Sequence, residues 1–498
     1  MKHYIFPLFI LGSLLTQLTS CSKLEEQPYS SIYTSNFYKT ASDAQAALVS
    51  AFSPVADMHA GPATIIISDF SADQAYPRPV VGRNTYTLFN YDPNYTSQKS
   101  FSRYNESAQQ VWQSCYAGIE NANLVIENVP NTNMDSLRRN EIIGEALFLR
   151  AYYYWTLTKN FKDVIIKTKA SSTLEEAYQG KSPKADVYKQ IYADLDRAIN
   201  LLPNYTPALT KGWASKQTAI ALFAKAALYN EEWARALDKA QQVIVSGRYT
   251  LMLEVKDLYD VTKEDAARQE IMWAFESVST SPGRGSQVTS LHGPKNSESP
   301  AYGPQSFGSI FIYPSFFASF NPSDKRRQLL DTNYLNTQGR TVNQKDITPI
   351  TPFGILVKKY QSPKPLAPGG TDSNIPILRL ADIYLIAAEA EARLNGPTTL
   401  AYSYVLPVRQ RAGLGNIAAG LSKDQFIDAV LQERSWEFFA EGDRWYDLTR
   451  TGKFLTVIPL AVNDVFPIRT PLPKHRYFPI PLDEINANPG LEQNPDWK

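Results

Sequence analysis

"QERSWEFFAEGDRWYDLTR", which spans Gln432 to Arg450, brings carboxylates, guanidinium groups and large aromatic rings together within a few turns. On a helix, residues three or four apart share a face, so Arg434 is predicted to reach Glu437. Arginine forks that pair with carboxylates keep those carboxylates ionised. A glycosidase acid needs the opposite, a raised pKa in a water-accessible cleft. The stretch is therefore predicted to be a packed ion-pair core rather than a catalytic site.

The same stretch also predicts where its helices end. Gly442 is suited to end the first helix, because glycine adopts the left-handed conformation common just beyond a helix C-terminus. Asp443 is suited to cap a second helix through its side chain. That second helix would carry Arg444 and Asp447.

Helical periodicity recurs in blocks along the chain. The clearest block, Ala214–Tyr249, repeats apolar residues at three- and four-residue spacing with a break at Tyr229–Asn230. This pattern is typical of an antiparallel helix pair of tetratricopeptide type. The other blocks are Ser42–Phe52, Ala108–Val129, Met134–Lys159, Ala185–Leu201, Ile375–Leu394 and Lys423–Ala440. Their uneven spacing predicts a mainly α fold with an irregular tetratricopeptide-like scaffold, over about residues 37–60, 107–250 and 373–450.

Two long regions, residues 61–106 and 277–372, interrupt this scaffold. Both are rich in Pro, Gly, Ser, Asn and Tyr and show little periodicity. Aperiodic segments of this length are usually functional or disordered, and their abundant aromatic residues argue against disorder. They are predicted to form a large, loop-rich ligand-binding part.

The N-terminus predicts export. Residues 1–20 combine Lys2, a short apolar stretch and small residues, as a secretory signal peptide does. The ending "LTSC" resembles a bacterial lipobox, which implies that Cys21 becomes the first mature residue and carries a lipid. Residues 21–36 then form a tether and residues 37–498 the folded domain. The predicted protein is anchored to a membrane without spanning it.

Composition excludes several classes of partner. The 50 Lys and Arg residues nearly balance 49 Asp and Glu residues without a basic block, so nucleic acid is not an expected partner. Four histidines and two cysteines form no cluster with metal-ligand spacing, so no metal site is predicted. Because lipidation would use Cys21, Cys115 is left without a partner and no disulfide framework is expected.

Residues 433–454, "ERSWEFFAEGDRWYDLTRTGKF", closely resemble the C-terminal signature of the SusD/RagB family, the lipoproteins of outer-membrane nutrient uptake in Bacteroidota. The helix pair at Ala214–Tyr249 matches the family in place and type. Further segments agree in family order, namely Glu145–Val164, Pro376–Gly396, Val408–Leu414 and Phe478–Pro495. One departure is Pro407, which is predicted to end or kink its helix.

The resemblance implies a non-catalytic binding protein on the outside of the outer membrane. Such proteins deliver oligomeric nutrients to a SusC-like, TonB-dependent transporter, with no cofactor. Most members are associated with glycans and the RagB branch with peptides. The residues assigned to the structural signature are Arg150, Arg379, Glu389, Arg409, Arg434, Glu437, Glu441, Arg444 and Asp447.

A sugar site needs aromatic platforms and a few polar side chains at its rim. None of the eight tryptophans lies in the two loop-rich regions, so the platforms must be Tyr or Phe. The site is predicted where the two regions meet. The candidate ligand-binding residues are Asp73, Tyr76, Arg83, Asn84, Tyr86, Tyr91, Tyr95, Tyr302, Phe307 and Tyr313.

Three alternatives remain open at this point. The ligand could be a peptide instead of a glycan. The protein could be a surface polysaccharide hydrolase that uses Glu437 and Asp447 as acid and base. It could also be a helical scaffold that binds only proteins.

Overall fold

A computed structural model describes residues 37–78, 83–96, 106–294, 302, 306–336, 338–343, 354–362, 370–462 and 465–498. The predicted signal peptide, the tether and Cys21 lie outside these residues. Within the described residues, no helix is long and apolar enough to cross a membrane.

Most of the described residues are helical. The helices are α1 (Ala41–His59), α2 (Ala63–Asp69), α3 (Asn84–Leu88), α4 (Pro93–Thr96), α5 (Ala108–Asn128), α6 (Ser136–Phe161), α7 (Leu174–Ala177), α8 (Lys184–Leu201), α9 (Lys216–Tyr229), α10 (Trp233–Val245), α11 (Glu264–Ala267), α12 (Val288–His292), α13 (Pro314–Ser319), α14 (Leu380–Asn395), α15 (Thr399–Arg411), α16 (Lys423–Glu437), α17 (Arg444–Arg450), α18 (Phe454–Val457) and α19 (Leu482–Ala487). Short 3₁₀ turns lie at Val129–Asn131, Val255–Leu258, Lys325–Leu329, Ile458–Leu460, Pro473–Arg476 and Pro495–Trp497.

Among the described residues, the strands are short and form two-stranded sheets. They are β1 (Ala75–Pro77), β2 (Ile271–Phe275), β3 (Ile310–Ile312), β4 (Leu330–Asp331), β5 (Asn333–Leu335), β6 (Thr341–Asn343), β7 (Leu356–Val357) and β8 (Ile375–Arg379). The antiparallel pairs are β1 with β3, β2 with β8, β4 with β7 and β5 with β6.

Local sequence sets where the long helices begin. Thr40, Ser215 and Ser422 each accept a hydrogen bond from the backbone N–H three residues on, and the side chain at that position bonds back. These capping boxes satisfy donors that the first helical turn leaves free. Ser107 and Asp135 cap α5 and α6 through the side chain alone.

The long helices pack in a relay that forms the scaffold. Helix α1 packs on α5, α5 on α6, α6 on α8, α8 on α9, α9 on α10, α10 on α14, and α14 on both α15 and α16. The predicted tetratricopeptide-like pair is α9 with α10, joined through Glu231 in a left-handed conformation. Ala219, Ala226 and Ala240 are fully buried, and such small side chains let helix axes approach closely. The predicted mainly α scaffold is confirmed.

Two predicted helix boundaries are wrong. Residues 375–379 form strand β8 instead of the first turn of a helix, because they pair with β2. Helix α15 continues through Pro407 to Arg411, with Val405 and Val408 buried on either side of the proline. Packing on both sides therefore outweighs the one backbone hydrogen bond that proline cannot make.

Candidate functional site

The two loop-rich regions meet in a pair of short strands. Strand β1 of the first region pairs with β3 of the second, with Ala75 opposite Ile312 and Pro77 opposite Ile310. The N–H of Arg78 also donates a hydrogen bond to the Ser309 carbonyl, at 2.9 Å. We call this contact between the regions the loop junction. It brings most of the candidate ligand-binding residues into one part of the molecule.

Most of the candidate rings are buried at the junction or beneath it. Tyr76 and Tyr313 lie 4.8 Å apart by ring centroids, and their exposed fractions are 0% and 1%. Tyr86 and Tyr91 lie 5.8 Å apart and pack against Phe478.

Tyr302 is also fully buried, and its hydroxyl donates to an Asp331 carboxylate oxygen at 3.0 Å. A stacking platform needs one exposed face, and these five rings have none in this conformation. The prediction that Tyr76, Tyr86, Tyr91, Tyr302 and Tyr313 contact ligand is therefore corrected for this conformation, in which they fill space under the loops.

Two polar candidates are used in ion pairs. Nε and Nη2 of Arg83 each donate to one oxygen of the Glu106 carboxylate, with Nε 2.6 Å from Oε2, and both side chains are buried. The Asp73 carboxylate accepts hydrogen bonds from Nε and Nη2 of Arg444, at 2.8 and 2.9 Å. Such bidentate pairs fix backbone position, so Arg83 and Asp73 have a structural role in place of the predicted ligand contact.

Phe307 is partly exposed at the junction, and Asn84 is partly exposed on α3, which packs on β1. Arg78, which the sequence did not single out, lies beside Phe307 because its Nη1 donates to the Phe307 carbonyl at 3.2 Å. Its Nε has no hydrogen-bond partner in the described structure. Burial, together with the nearby Arg83, lowers the pKa of Arg78. Its place between two prolines in a loop was the available signal. The side chain of Tyr95 lies outside the described part of the chain.

The C-terminal stretch forms a buried network centred on Glu437. Its Oε1 accepts a hydrogen bond from Nη1 of Arg379 at 2.6 Å and a second hydrogen bond from Arg411. Its Oε2 accepts a hydrogen bond from Nη1 of Arg326 at 3.1 Å. Glu441 pairs with Arg379 and Lys359 beside it. The side chains of all these residues are almost completely enclosed in the core.

Arg434 does not pair with Glu437 as predicted. Its Nη1 bonds Asp382 at 2.6 Å and its Nε bonds Asp447 at 2.7 Å, because the guanidinium turns towards α14 and α17. Asp443 precedes α17 but makes no capping bond, since its carboxylate accepts from Lys225 at 3.0 Å.

The remaining signature residues are paired as well. Arg450 makes a two-bond contact with Glu389, at 2.7 and 2.6 Å, in the core. Arg150 does the same with Asp194, at 2.8 and 2.6 Å. Arg409 reaches Glu433 at 2.6 Å. Every residue of the predicted structural signature therefore lies in an ion pair.

These carboxylates are unsuited to acid–base catalysis. Burial alone would raise the pKa of Glu437, but the three guanidinium groups outweigh burial and hold the pKa well below its usual value. The same competition, with Arg450 as the main partner, leaves the pKa of Glu389 at about 2. Glu437 and Asp447 are 1% and 2% exposed, so neither faces a cleft. Among the described residues, no group of three or more His, Cys, Asp or Glu could hold a metal ion.

Two family models match successive parts of the chain. The model described as the SusD family matches residues 314–497, and a SusD-like model described as starch-binding and associating with the outer membrane matches residues 24–228. Two SusD-like proteins of Formosa agariphila, P25 and P2, are 27% and 29% identical to this chain. The first match covers 96% of both chains, and the second covers 90% of this chain and 91% of the relative.

Solved structures show the same fold. A SusD superfamily protein from Parabacteroides distasonis superposes with a TM-score of 0.78 at 23% identity, over 91% of this chain and 98% of that one. A laminarin-binding SusD-like protein superposes with a TM-score of 0.75 at 23% identity, over 92% of this chain and 100% of that one. The sequence motifs, the helical relay and these matches agree, and the chain is SusD-like along nearly its whole length.

Proposed function

We propose that this protein is a lipid-anchored glycan-binding protein of the outer cell surface. It captures oligo- or polysaccharide at the loop junction and delivers it to a SusC-like, TonB-dependent transporter. The observation that carries the proposal is the similarity to SusD-like proteins along nearly the whole chain. Solved relatives with the same fold include a surface glycan-binding protein from Bacteroides thetaiotaomicron in complex with laminarihexaose.

The proposed role is binding without catalysis. A hydrolase of this chain would have to use carboxylates such as Glu437 and Asp447, and arginines hold both in the closed core. Retaining and inverting glycosidases both need two carboxyl groups that flank the substrate. The buried pairs leave these two carboxylates no route to a substrate.

Within the proposed site, the ligand contacts the exposed side of the loop junction. Phe307 offers part of a ring and Arg78 offers a donor beside it, while Asn84 offers an amide on α3, which packs on β1. An apolar ring with a few polar groups at its rim suits the CH face and hydroxyl groups of a sugar.

The first experiment is calorimetric titration of the purified soluble domain with laminarin, starch and other polysaccharides, beside a peptide mixture. We expect saturable binding of at least one glycan and no new reducing ends after prolonged incubation. Binding of peptides alone would favour the peptide alternative. Release of reducing ends would overturn the non-catalytic role.

The second experiment locates the site. Because one ring contact contributes about 1 kcal/mol and a lost hydrogen bond a similar amount, Phe307→Ala with Asn84→Ala should weaken glycan binding about tenfold to a hundredfold. Tyr178→Ala is the matched control, since this ring is 44% exposed but lies outside both loop-rich regions. Equal affinity of the double variant and the control would place the ligand elsewhere.

A further inference from the structure

A pocket on the helical scaffold has walls of cationic and aromatic side chains. It opens where the end of α6, the start of α8, the end of α9, helix α17 and the turn at Pro473–Arg476 meet, and its volume is about 290 Å³ up to the mouth. Four cationic residues, four tyrosines and two threonines line it, and no Asp or Glu is among these described residues. We call it the tyrosine pocket. The lining residues that the argument uses are Lys159, Lys184, Arg476, Tyr188, Tyr446 and Tyr477.

Lys159 lies at the pocket without an anionic partner. Its ammonium group is 4.1 Å from the centre of the Trp155 ring and 4.2 Å from the centre of the Tyr446 ring. Within the described part of the chain it forms no ion pair. By contrast, Lys225 and Lys359, which are buried in the core, have a carboxylate oxygen at 2.8 and 2.5 Å. The lysine beside the pocket therefore lacks the compensation that the core lysines have.

The pKa of Lys159 reflects this missing partner. Burial lowers it to about 7; Asp443 opposes the shift and Lys225 adds to it. Asp443 is not a partner for Lys159, because its carboxylate accepts a hydrogen bond from Lys225. Burial and the nearby Arg476 also lower the pKa of Lys184. Both ammonium groups would gain from an anion in the pocket, since a nearby negative charge favours the charged form of a lysine.

Two further cations are available to a ligand. Lys184 forms no ion pair with the described residues, and its ammonium group lies 5.4 Å from the centre of the Tyr188 ring. Arg476 reaches Glu231 only at 3.5 Å, and both of these side chains are exposed, so the pair is weak. Arg450, the fourth cation, is held by its ion pair in the core. Three of the four cations thus have donors to offer.

We propose that the tyrosine pocket is a binding site for one oxyanionic group, such as a sulfate or the carboxylate of a uronic acid. Lysine and arginine donors make charge-assisted hydrogen bonds to such oxygens. The tyrosine rings beside them give an apolar face on which the carbon skeleton of an acidic sugar rests. No lining residue of the pocket belongs to the loop junction, so the inference does not depend on the glycan site proposed above.

Competitive labelling of lysines tests the site on the full chain, purified in an uncharged detergent. An amine-reactive ester is added at about pH 7 with sodium sulfate, sodium glucuronate or glucose, sodium chloride keeps the ionic strength equal, and mass spectrometry measures the labelling of each lysine. Sulfate or glucuronate should slow the labelling of Lys159 about fivefold or more, because a bound anion raises the pKa of the amine and only the neutral form reacts. Lys189 on α8, whose side chain is 79% exposed, is the internal control and should react at an unchanged rate.

A variant then locates the bound anion. Lys184→Met removes one donor, so the sulfate concentration that half-protects Lys159 should rise about tenfold or more. Lys189→Met, on the same helix but outside the pocket, should leave that concentration unchanged, and melting temperatures show that both variants are folded.

The source of the oxyanion follows from the comparison of the additives. Protection by sulfate but not by glucuronate would identify a free inorganic anion as the ligand, whereas protection by glucuronate would identify an acidic sugar, and either result supports the site. Protection by neither anion, equal protection by glucose, or an equal slowing at Lys189 would overturn the inference. Unaltered protection in folded Lys184→Met would overturn it as well.

Discussion

The Glu437 carboxylate joins three arginines that are far apart in the chain. Arg326 comes from the second loop-rich region, Arg379 from the end of β8 and Arg411 from the end of α15. Because all four side chains are buried, none can exchange its partner for water. At the scale of the single residue, this carboxylate therefore fixes the position of three elements.

Glu437→Ala should destabilise the protein strongly. Removal of the carboxylate leaves buried guanidinium groups without their shared partner, which typically costs about 3–5 kcal/mol of unfolding free energy. Urea unfolding measures the change. Glu254→Ala is the control, since Glu254 forms an exposed ion pair with Lys325. Loss of this pair should lower the unfolding free energy by about 1 kcal/mol or less. A stable variant that had lost only glycan affinity would mean that Glu437 belongs to the binding site.

Asp69 should make stability depend on pH. Burial raises the pKa of this carboxyl group to about 8, from an ordinary value of 3.8. Between these values the folded state keeps a proton that the unfolded state loses, so the unfolding free energy falls as the pH rises from about 4 to about 8. The contribution is complete below about pH 4 and is lost on the alkaline side.

Asp69→Asn removes this ionisation. Relative to the unaltered chain, the variant should therefore gain stability at about pH 8 compared with about pH 5, measured by urea unfolding at both values. Asp196→Asn on the exposed face of α8 is the control and should follow the unaltered chain. If the unfolding free energies of Asp69→Asn and the unaltered chain changed equally between about pH 5 and about pH 8, the raised pKa of Asp69 would be contradicted.

At the scale of the element, the crossing of α5 and α6 depends on a missing side chain. A Cβ built on Gly118 would lie 2.2 Å from Cε2 of Tyr153, whose hydroxyl donates to the Ala51 carbonyl of α1. Three helices are thus packed around one glycine.

Gly118→Ala should lower the unfolding free energy by about 1–3 kcal/mol, because the buried ring has to move. Thermal or urea unfolding measures this loss. Gly415→Ala is the matched control, since a Cβ there meets nothing within 4 Å and should change stability little. An unchanged melting temperature for Gly118→Ala would mean that the α5–α6 crossing relaxes freely.

Periodicity predicted the elements whose packing is set by their own sequence. Helices α5, α6 and α8 lie within two residues of the predicted bounds at both ends, because an apolar stripe is a local signal, and capping side chains add a second local signal in α5 and α6. Strand β8 could not be found in this way. It continues into α14 without a break in the apolar pattern, and it is a strand because β2, about a hundred residues earlier, pairs with it.

At the scale of the whole molecule, the sequence predicted that the two loop-rich regions meet, but it did not predict whether their aromatic side chains are exposed or buried. The sequence places Tyr76, Tyr91 and Tyr302 in long loops. A tyrosine in such a loop can equally be an exposed ring that stacks on a ligand or a buried ring that fills space. Only the packing decides, since Tyr91 is enclosed by Phe478, His475 and Trp497 from the C-terminal part of the chain. Long-range contacts of this kind leave no mark in the local pattern.

The lipid anchor gives a prediction for the whole molecule. If Cys21 carries the lipid, Cys21→Ala should move a folded protein from the membrane fraction to the soluble fraction, since one lipidated cysteine supplies the attachment. Fractionation followed by immunoblotting measures the distribution. Ser22→Ala, at the next residue, should stay with the membrane. A Cys21→Ala variant that remained in the outer membrane would contradict the anchor.

The position of Glu437 so late in the chain has a consequence for the order of events in folding. A chain that ended before α16 would contain Arg326, Arg379 and Arg411 but lack the carboxylate they share. Arg326 would keep Asp324, and Arg379 and Arg411 would share Glu270, so three buried guanidinium groups would face only these two carboxylates. Enclosing the uncompensated charge is unfavourable, so we expect the centre of the molecule to stay open while the chain is still incomplete. Early helix pairs such as α9 with α10 are free to form, but the final compaction waits for residues near the C-terminus. A ribosome-bound or truncated chain would therefore keep its core open to chaperones and proteases until almost the last part of the protein is available.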